Sequence, residues 1–280
     1  MSFYNNLRYR LWRIYRLLTK PCAIEINLVS HCNLNCAGCT HYSPIAPNSF
    51  LSIEDFKTTM GYLKKIRKAY SVFRLLGGEP LMHPDILEIL KIAGEELKGK
   101  RVELYTNGIL LAVEKQRGFV ESLAEICRKY EINIYITEYP VNVDYDKLFD
   151  TLKNYSVNAV LMGDRRESES FRLMRLDPKK RGKKNNYYIC TETDCMQLVG
   201  DRIYPCSESA YCEFINDKYG LRFCHVDGDC IKVDDIKHFY SLWLFRMRSK
   251  PFCKYCVFPR PLINWHHSQC TSDEWVEESR

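Results

Sequence analysis

The stretch AIEINLVSHCNLNCAGC, residues 23–39, joins a short apolar run to three closely spaced cysteines. The run Ala23–Val29 has the length and the apolar character of a buried strand. Cys32, Cys36 and Cys39 follow it directly, with the spacing Cys-x3-Cys-x2-Cys. Because barrel enzymes carry their chemistry at the carboxyl ends of their strands, this loop is the first candidate for a functional site.

Strand and helix patterns alternate on the carboxyl side of this stretch. Further strands are predicted at residues 72–76, 102–105, 132–136 and 157–162. Four helices are predicted. The first starts at a capping box on Ser52, and the second has Pro84 in its first helical position. The third and fourth cover residues 115–130 and 145–155. Alternation of this kind predicts an α/β fold with a parallel sheet.

The composition narrows the class of protein. The 280 residues are 46% hydrophobic and 27% charged, which is typical of a globular chain and excludes disorder or a membrane bundle. Arginines at positions 8, 10, 13 and 16 interrupt any apolar core of a signal peptide. We therefore expect a cytoplasmic protein whose 14 cysteines serve metal or redox chemistry. The net charge of +6 is too small to indicate nucleic-acid binding.

Three cysteines are one fewer than a closed site needs. A [4Fe-4S] cluster is normally held by four thiolates, so three would leave one iron with an open position for a reactant. The alternative is a zinc site in which His31 or His41 supplies the fourth ligand.

At these residues the chain resembles the radical S-adenosylmethionine (SAM) superfamily. The resemblance implies a partial (β/α)6 TIM-like barrel and a [4Fe-4S] cluster on Cys32, Cys36 and Cys39. It also implies that the open iron binds SAM, which is cleaved reductively to methionine and a 5'-deoxyadenosyl radical. The superfamily usually has an aromatic residue before the third cysteine, whereas this chain has Gly38, with His41 or Tyr42 as candidate substitutes.

A second motif supports the resemblance. LLGGEP, residues 75–80, ends a predicted strand, and the superfamily uses such an element to hold the amino group of SAM. The cofactor-binding residues predicted from this motif and from the ends of the next two strands are Gly77, Gly78, Glu79, Thr106, Asn107 and Glu138.

A second group of cysteines lies in residues 190–270, which hold nine of the fourteen. The segment CMQLVGDRIYPC, residues 195–206, predicts a hairpin that turns at Gly200 and Asp201. Together with the pair Cys253 and Cys256, it resembles the twitch domain, a short form of the SPASM extension. That resemblance implies one auxiliary [4Fe-4S] cluster bound by Cys206, Cys253, Cys256 and either Cys190, which we favour, or Cys195. A zinc site is the alternative.

The expected organisation has four parts. These are a basic amphipathic helix in residues 1–20, a radical SAM barrel in 21–163, a basic bridging segment in 164–188 and a twitch/SPASM-like domain of hairpin and helix in 189–280. Residues 3–18 are also a candidate for peripheral membrane contact.

The expected function is that of a radical SAM oxidoreductase or epimerase. Its substrate is expected to be small and polar, of carbohydrate type, with a one-electron donor such as flavodoxin or ferredoxin as partner. Two alternatives are a maturase that modifies a ribosomally made peptide, and a non-catalytic iron-sulfur or zinc scaffold.

Overall fold

The computed structural model describes most of the chain. The described residues are 22–113, 117–164, 167–168, 173–176, 187, 190, 192–257 and 263–277, together with Arg8, Leu11, Trp12, Ile14, Tyr15 and Leu18.

Strands and helices alternate through residues 23–164. The strands are β1 (Ala23–Val29), β2 (Val72–Gly77), β3 (Arg101–Thr106), β4 (Asn133–Glu138) and β5 (Ala159–Asp164). The helices are α1 (Ile53–Lys65), α2 (Ile86–Glu96), α3 (Arg117–Tyr130) and α4 (Tyr145–Asn154). Caps fix two of the helix starts, because Ser52 accepts a hydrogen bond from the amide of Asp55, and Asp144 accepts one from the amide of Lys147.

The later elements are shorter. The strands are β6 (Glu167–Ser168), β7 (Cys195–Val199), β8 (Arg202–Tyr204), β9 (Ile231–Lys232) and β10 (Ile263–Asn264). The helices are α5 (Ser207–Ala210), α6 (Cys212–Tyr219) and α7 (Phe239–Met247).

The main sheet is open and mostly parallel. Its strand order is β5-β4-β3-β2-β1-β7-β8-β9. The first six strands in this order are parallel to their neighbours, and β8 and β9 add to the edge in antiparallel pairing. The predicted α/β fold with a partial barrel is therefore confirmed. The predicted hairpin forms as β7 and β8, and β7 extends the main sheet by pairing with β1.

The two faces of this sheet differ in chemistry. The outer face packs against the helices through buried apolar side chains, namely Ile24, Ile26, Leu28, Phe73, Leu75, Val102, Leu104, Ile134 and Ile136. The inner face alternates with it and carries polar side chains, namely Glu25, Arg74, Glu103, Tyr105, Tyr135 and Gln197. Helix packing therefore supplies the apolar core, and the barrel interior remains polar.

Arg74 lies at the centre of this polar interior. Its Nη1 donates to Glu25 at 2.7 Å, and its Nε donates to Glu103 at 2.9 Å. Gln197 donates to the other oxygen of Glu25 at 2.6 Å, and the Arg74 guanidinium lies 5.3 Å from the ring centre of Tyr105. Both carboxylates are buried, and Arg101 Nε also pairs with Glu103 at 2.8 Å, so Arg74 is the paired cation of Glu25 and shares Glu103 with Arg101.

A second apolar core lies beside the cysteine loop. Its buried members are Tyr42, Met174, Tyr211, Cys212, Ile215, Phe223, Phe252, Tyr255 and Trp275. They come from five separate parts of the sequence, and Tyr42 belongs to the loop itself. The cysteine loop and the later part of the chain are therefore packed together.

One predicted helix start differs from the structure by two residues, and two predicted segments lie mostly outside the described residues. Helix α2 begins at Ile86 with Asp85 at its N-cap, two residues beyond the predicted Pro84. Most of the predicted helix at residues 3–18 lies outside the described residues, although the six residues described between 8 and 18 are helical. Most of the basic bridging segment, residues 164–188, also lies outside them. Within the described part of the chain, no helix has the length and apolarity needed to cross a membrane.

We predict that Arg74→Met lowers the free energy of unfolding by about 3–5 kcal/mol, because it leaves Glu25 buried without a counter-charge, whereas Glu103 keeps its ion pair with Arg101. Urea unfolding of the metal-free protein measures this change. Lys65→Met is the matched control, because Lys65 pairs with Asp234 at 2.8 Å on the exposed surface. It should leave stability nearly unchanged. Equal effects of the two variants would contradict the role of Arg74.

Candidate active site at the carboxyl edge of the sheet

The three cysteines lie on an irregular loop that begins where β1 ends. Three residues of this loop adopt left-handed backbone, Asn35 at φ 52°, Gly38 at φ 59° and Tyr42 at φ 56°. This conformation suits glycine, and asparagine tolerates it. Gly38, which stands where the superfamily usually has an aromatic residue, therefore turns the loop towards Cys39 without a steric cost.

The end of β2 holds this loop through very close backbone contacts. The amide of Gly78 donates to the carbonyl of Val29 at 2.7 Å, and the amide of Glu79 donates to the carbonyl of His31 at 3.1 Å. A Cβ atom on Gly78 would lie 1.8 Å from that carbonyl oxygen of His31, and one on Gly77 would lie 2.4 Å from the carbonyl oxygen of Val29. Only glycine fits at either position.

Glu79 joins the ends of β2 and β3. Its carboxylate accepts hydrogen bonds from the Thr106 hydroxyl at 2.7 Å, from the Asn107 amide at 2.9 Å and from the Leu81 amide at 3.0 Å. Burial raises the pKa of Glu79 to about 7, and these three hydrogen bonds limit the rise. Glu79 thus connects the ends of β2 and β3 by hydrogen bonds, and it also lines the cavity described below.

Asn107 connects β3 to the cysteine loop. Its Nδ2 donates to Asn33 Oδ1 at 2.7 Å and lies 3.7 Å from the Cys32 sulfur. Burial raises the pKa of Cys32 to about 12, so a cation is needed to stabilise its thiolate.

One cavity of about 440 Å³ collects most of the predicted residues, a volume in the usual range for ligand sites. The predicted residues that line it are Cys32, Cys36, Cys39, Gly77, Gly78, Glu79, Thr106 and Asn107. Ser43 Oγ in the same wall is buried and has no hydrogen-bond partner among the described residues. Three thiols and a buried unpaired hydroxyl fit a [4Fe-4S] cluster and a polar ligand bound beside it.

Glu138, predicted to bind the cofactor, is not among the residues that line this cavity, whereas its neighbours Thr137 and Tyr139 are. The pairing register of β4 with β5 shifts between Thr137 and Glu138. Similarly, His41 lines the cavity, whereas Tyr42 is buried and donates to the carbonyl of Glu208 at 3.4 Å. His41 is therefore the better placed of the two candidate substitutes for an aromatic residue.

The second group of cysteines divides between two places. Cys195, on β7, lines the cavity with its sulfur 3.7 Å from Arg74 Nη1. Burial raises the pKa of Cys253 to about 12, and the nearby Cys190 adds to this rise. Cys206 occupies the N-cap position of α5 without a capping hydrogen bond from its side chain. The amide of Cys256 donates to the carbonyl of Cys253 at 3.3 Å. Cys190 thus lies near Cys253, and Cys195 belongs to the barrel.

A zinc site would require ligands that converge on one ion, at about 2.3 Å for sulfur. Among the residues that the structure describes, no group of three His, Cys, Asp or Glu side chains is arranged to hold a single metal ion. A cubane cluster does not need such convergence, because each thiolate binds a different iron.

The sequence did not point to several residues of this cavity. Glu25, Arg74 and Tyr105 line it from the inner faces of β1 to β3, and Trp265 lines it from the C-terminal part of the chain. The polar residues within otherwise apolar strands were a usable signal for the first three. Trp265 carried none, because it lies 229 positions from Cys36, whose sulfur it contacts.

Comparison with known proteins agrees with this geometry. Residues 26–138 match the sequence model described as the Radical SAM superfamily. The crystal structure of BtrN in complex with AdoMet and 2-DOIA aligns with 84% of this chain and 92% of its own, at a TM-score of 0.51 and 17% identity. At that identity, the likeness shows a shared fold.

Curated relatives match a shorter part of the chain. GTP 3',8-cyclase of Synechocystis sp. is 36% identical over 90 residues, which are 31% of this chain and 27% of the cyclase. The AdoMet-dependent heme synthase of Methanosarcina barkeri is 37% identical over 95 residues, which are 34% of this chain and 26% of the synthase. The chain thus aligns with only about a quarter of the length of these relatives.

We predict that Gly78→Ala destabilises the protein by about 1–3 kcal/mol or more, because the new Cβ forces the loop away from the strand end. Iron bound after anaerobic reconstitution should fall as well. Gly61→Ala is the matched control, since Gly61 lies inside α1 and no described neighbour comes within 4 Å of the place that its Cβ would take. It should stabilise the helix by about 0.5–1 kcal/mol. Normal stability and iron content in Gly78→Ala would refute the close approach.

The raised pKa of Glu79 predicts a pH dependence of stability. Between its ordinary pKa of 4.5 and about 7, the folded state keeps a proton that the unfolded state releases. The free energy of unfolding of the metal-free protein should therefore fall, relative to Glu79→Gln, as pH rises through this range. Denaturant titrations at a series of pH values measure the difference, and a constant difference would contradict the burial of this carboxylate.

Proposed function

We propose that this chain, whose residues 26–138 match the Radical SAM superfamily model, is a member of that superfamily and an enzyme that cleaves SAM reductively. The single observation that carries the proposal is the lining of one cavity by three cysteines from one loop together with the Gly-Gly-Glu turn. In this proposal Cys32, Cys36 and Cys39 hold three irons of a [4Fe-4S] cluster, and no protein thiol holds the fourth.

When bound, the cluster supplies one electron to the sulfonium of SAM, which gives methionine and a 5'-deoxyadenosyl radical that takes hydrogen from a substrate carbon. The chain's own groups orient the reactants. Gly77 and Gly78 let the ligand approach the backbone closely, and Glu79 attracts the ammonium group of SAM. A bound ammonium would lower the pKa of Glu79, whose carboxylate is otherwise only partly ionised near neutral pH. Thr106 and Asn107 keep that carboxylate oriented.

The substrate proposed is small and polar, of carbohydrate type, and the reaction is its dehydrogenation or epimerisation. Support comes from the cavity walls, in which Glu25, Arg74, Tyr105 and Glu192 offer charged and hydroxyl groups to a polyol. The lining has carboxylates at Glu25, Glu79 and Glu192 against the guanidinium of Arg74, a balance that favours hydroxyl or amino groups over phosphate. The fold shared with BtrN is in keeping with this proposal.

We assign an auxiliary [4Fe-4S] cluster to Cys190, Cys206, Cys253 and Cys256, in a twitch-like arrangement. The influence of Cys190 on the pKa of Cys253 supports this set, and the position of Cys195 beside Arg74 argues against Cys195. The cluster would accept or relay an electron, with flavodoxin or ferredoxin as the external donor. The setting proposed is a reducing, cytoplasmic one, because a chain with fourteen cysteines that bind clusters needs reduced thiols.

We predict that anaerobically reconstituted protein, given SAM and a strong reductant, forms methionine and 5'-deoxyadenosine. Cys36→Ala should abolish both products because it removes a ligand of the reactive cluster. Cys253→Ala is the matched control and should retain measurable cleavage, since it affects only the auxiliary cluster. Chromatography of the two products measures the outcome, and equal residual cleavage in both variants would contradict this division of roles.

Substrate class is tested with deuterium. Candidate aminated and neutral sugars, and peptides, are deuterated at carbon and incubated with the complete system, and 5'-deoxyadenosine is analysed by mass spectrometry. Transfer from a sugar supports the proposal, and transfer from a peptide alone supports the maturase instead. Absence of both cleavage products from the unmutated protein would favour the non-catalytic scaffold.

A further inference from the structure

The C-terminal segment, residues 264–275, is bound along the cysteine loop. Cys36 and His267 form an antiparallel bridge. The amide of Ala37 donates to the carbonyl of His266 at 3.0 Å, and the amide of Ser268 donates to the carbonyl of Asn35 at 2.8 Å. The residues around Cys36 therefore pair with the C-terminal segment through backbone hydrogen bonds, as two antiparallel strands do.

Two tryptophans of this segment contact the cysteines themselves, in different ways. Trp265 Nε1 donates to the Cys36 sulfur at 3.1 Å. Trp275 Nε1 donates to the carbonyl oxygen of Cys39 at 3.0 Å. The first hydrogen bond ends on a predicted cluster ligand, and the second ends on the backbone beside one.

The indole of Trp265 is held in place by its neighbours. Its ring centre lies 4.9 Å from that of His267 and 6.1 Å from that of Tyr139, which follows β4. Because His267 Nδ1 is also within 3.0 Å of the carbonyl of Leu34, the aromatic pair is tied to the cysteine loop. These contacts direct the N–H group of Trp265 towards the sulfur.

We propose that Trp265 is a positioning residue that raises the reduction potential of the cluster on Cys32, Cys36 and Cys39. This inference rests on the proposed function, because it requires a cluster at that site. An N–H donor stabilises negative charge on a thiolate sulfur, and the reduced cluster carries more negative charge than the oxidised one. Trp265 therefore makes the cluster easier to reduce, and the C-terminal segment contributes directly to this reduction, which precedes the cleavage of SAM.

The test is an EPR-monitored redox titration of the full-length, reconstituted protein and of Trp265→Phe, which keeps an aromatic ring and loses the N–H donor. The cluster is identified by the change of its signal when SAM is added. We expect the equilibrium constant for its reduction to fall by up to about tenfold in Trp265→Phe, which is about 59 mV for one electron. Trp275→Phe is the control, since its hydrogen bond does not reach sulfur, and its potential should match that of the unmutated protein. An unchanged potential in Trp265→Phe, or equal shifts in both variants, would overturn the inference.

A second measurement detects the hydrogen bond itself. Pulsed EPR of the reduced protein, labelled with nitrogen-15 in its tryptophans only, should detect a weak nitrogen-15 coupling to the cluster, and Trp275→Phe should retain this coupling. Absence of this coupling from the unmutated protein would contradict the hydrogen bond. A protein without any SAM-responsive cluster signal would overturn the proposed function as well, whereas such a signal without the coupling would overturn only the role of Trp265.

Discussion

The close approach between the end of β2 and the residues that follow β1 is the constraint on which the candidate site depends. A Cβ on Gly78 would be 1.8 Å from the carbonyl oxygen of His31, so the two backbones can meet only without a side chain between them. This contact fixes the start of the cysteine loop, and the loop then directs three thiols into one cavity. The Gly-Gly-Glu element thus shapes the thiol site and also supplies a wall for its ligand.

The polar interior of the barrel is the second feature that defines the molecule. Most of the apolar burial lies between the sheet and its helices, so the inner face need not be filled with branched side chains. It carries the Glu25, Arg74 and Glu103 group, whose charges are neutralised within the group and by Arg101, which pairs with Glu103. An interior of this kind has room and polarity for a hydroxylated ligand next to the thiol site. Fold stability and ligand binding are thus assigned to opposite faces of the same strands.

Local sequence patterns predicted the strands and helices of residues 23–164 closely, because the apolar side chains that pack between the sheet and its helices recur with the period of each element. The cysteine triad and the Gly-Gly-Glu turn were predicted for the same reason, since each depends on residues close in sequence. The pairing of β7 with β1 and the hydrogen bond from Trp265 to Cys36 were not predicted. Both join residues far apart in the chain, and local patterns do not relate such residues.

The account as a whole requires an iron without a protein thiol at the Cys32, Cys36 and Cys39 site. Mössbauer spectroscopy of protein reconstituted with iron-57 tests this requirement most directly. Addition of SAM should change the isomer shift and quadrupole splitting of one iron in that cluster and leave its other three unchanged. Four irons that stay unchanged by SAM would contradict the account.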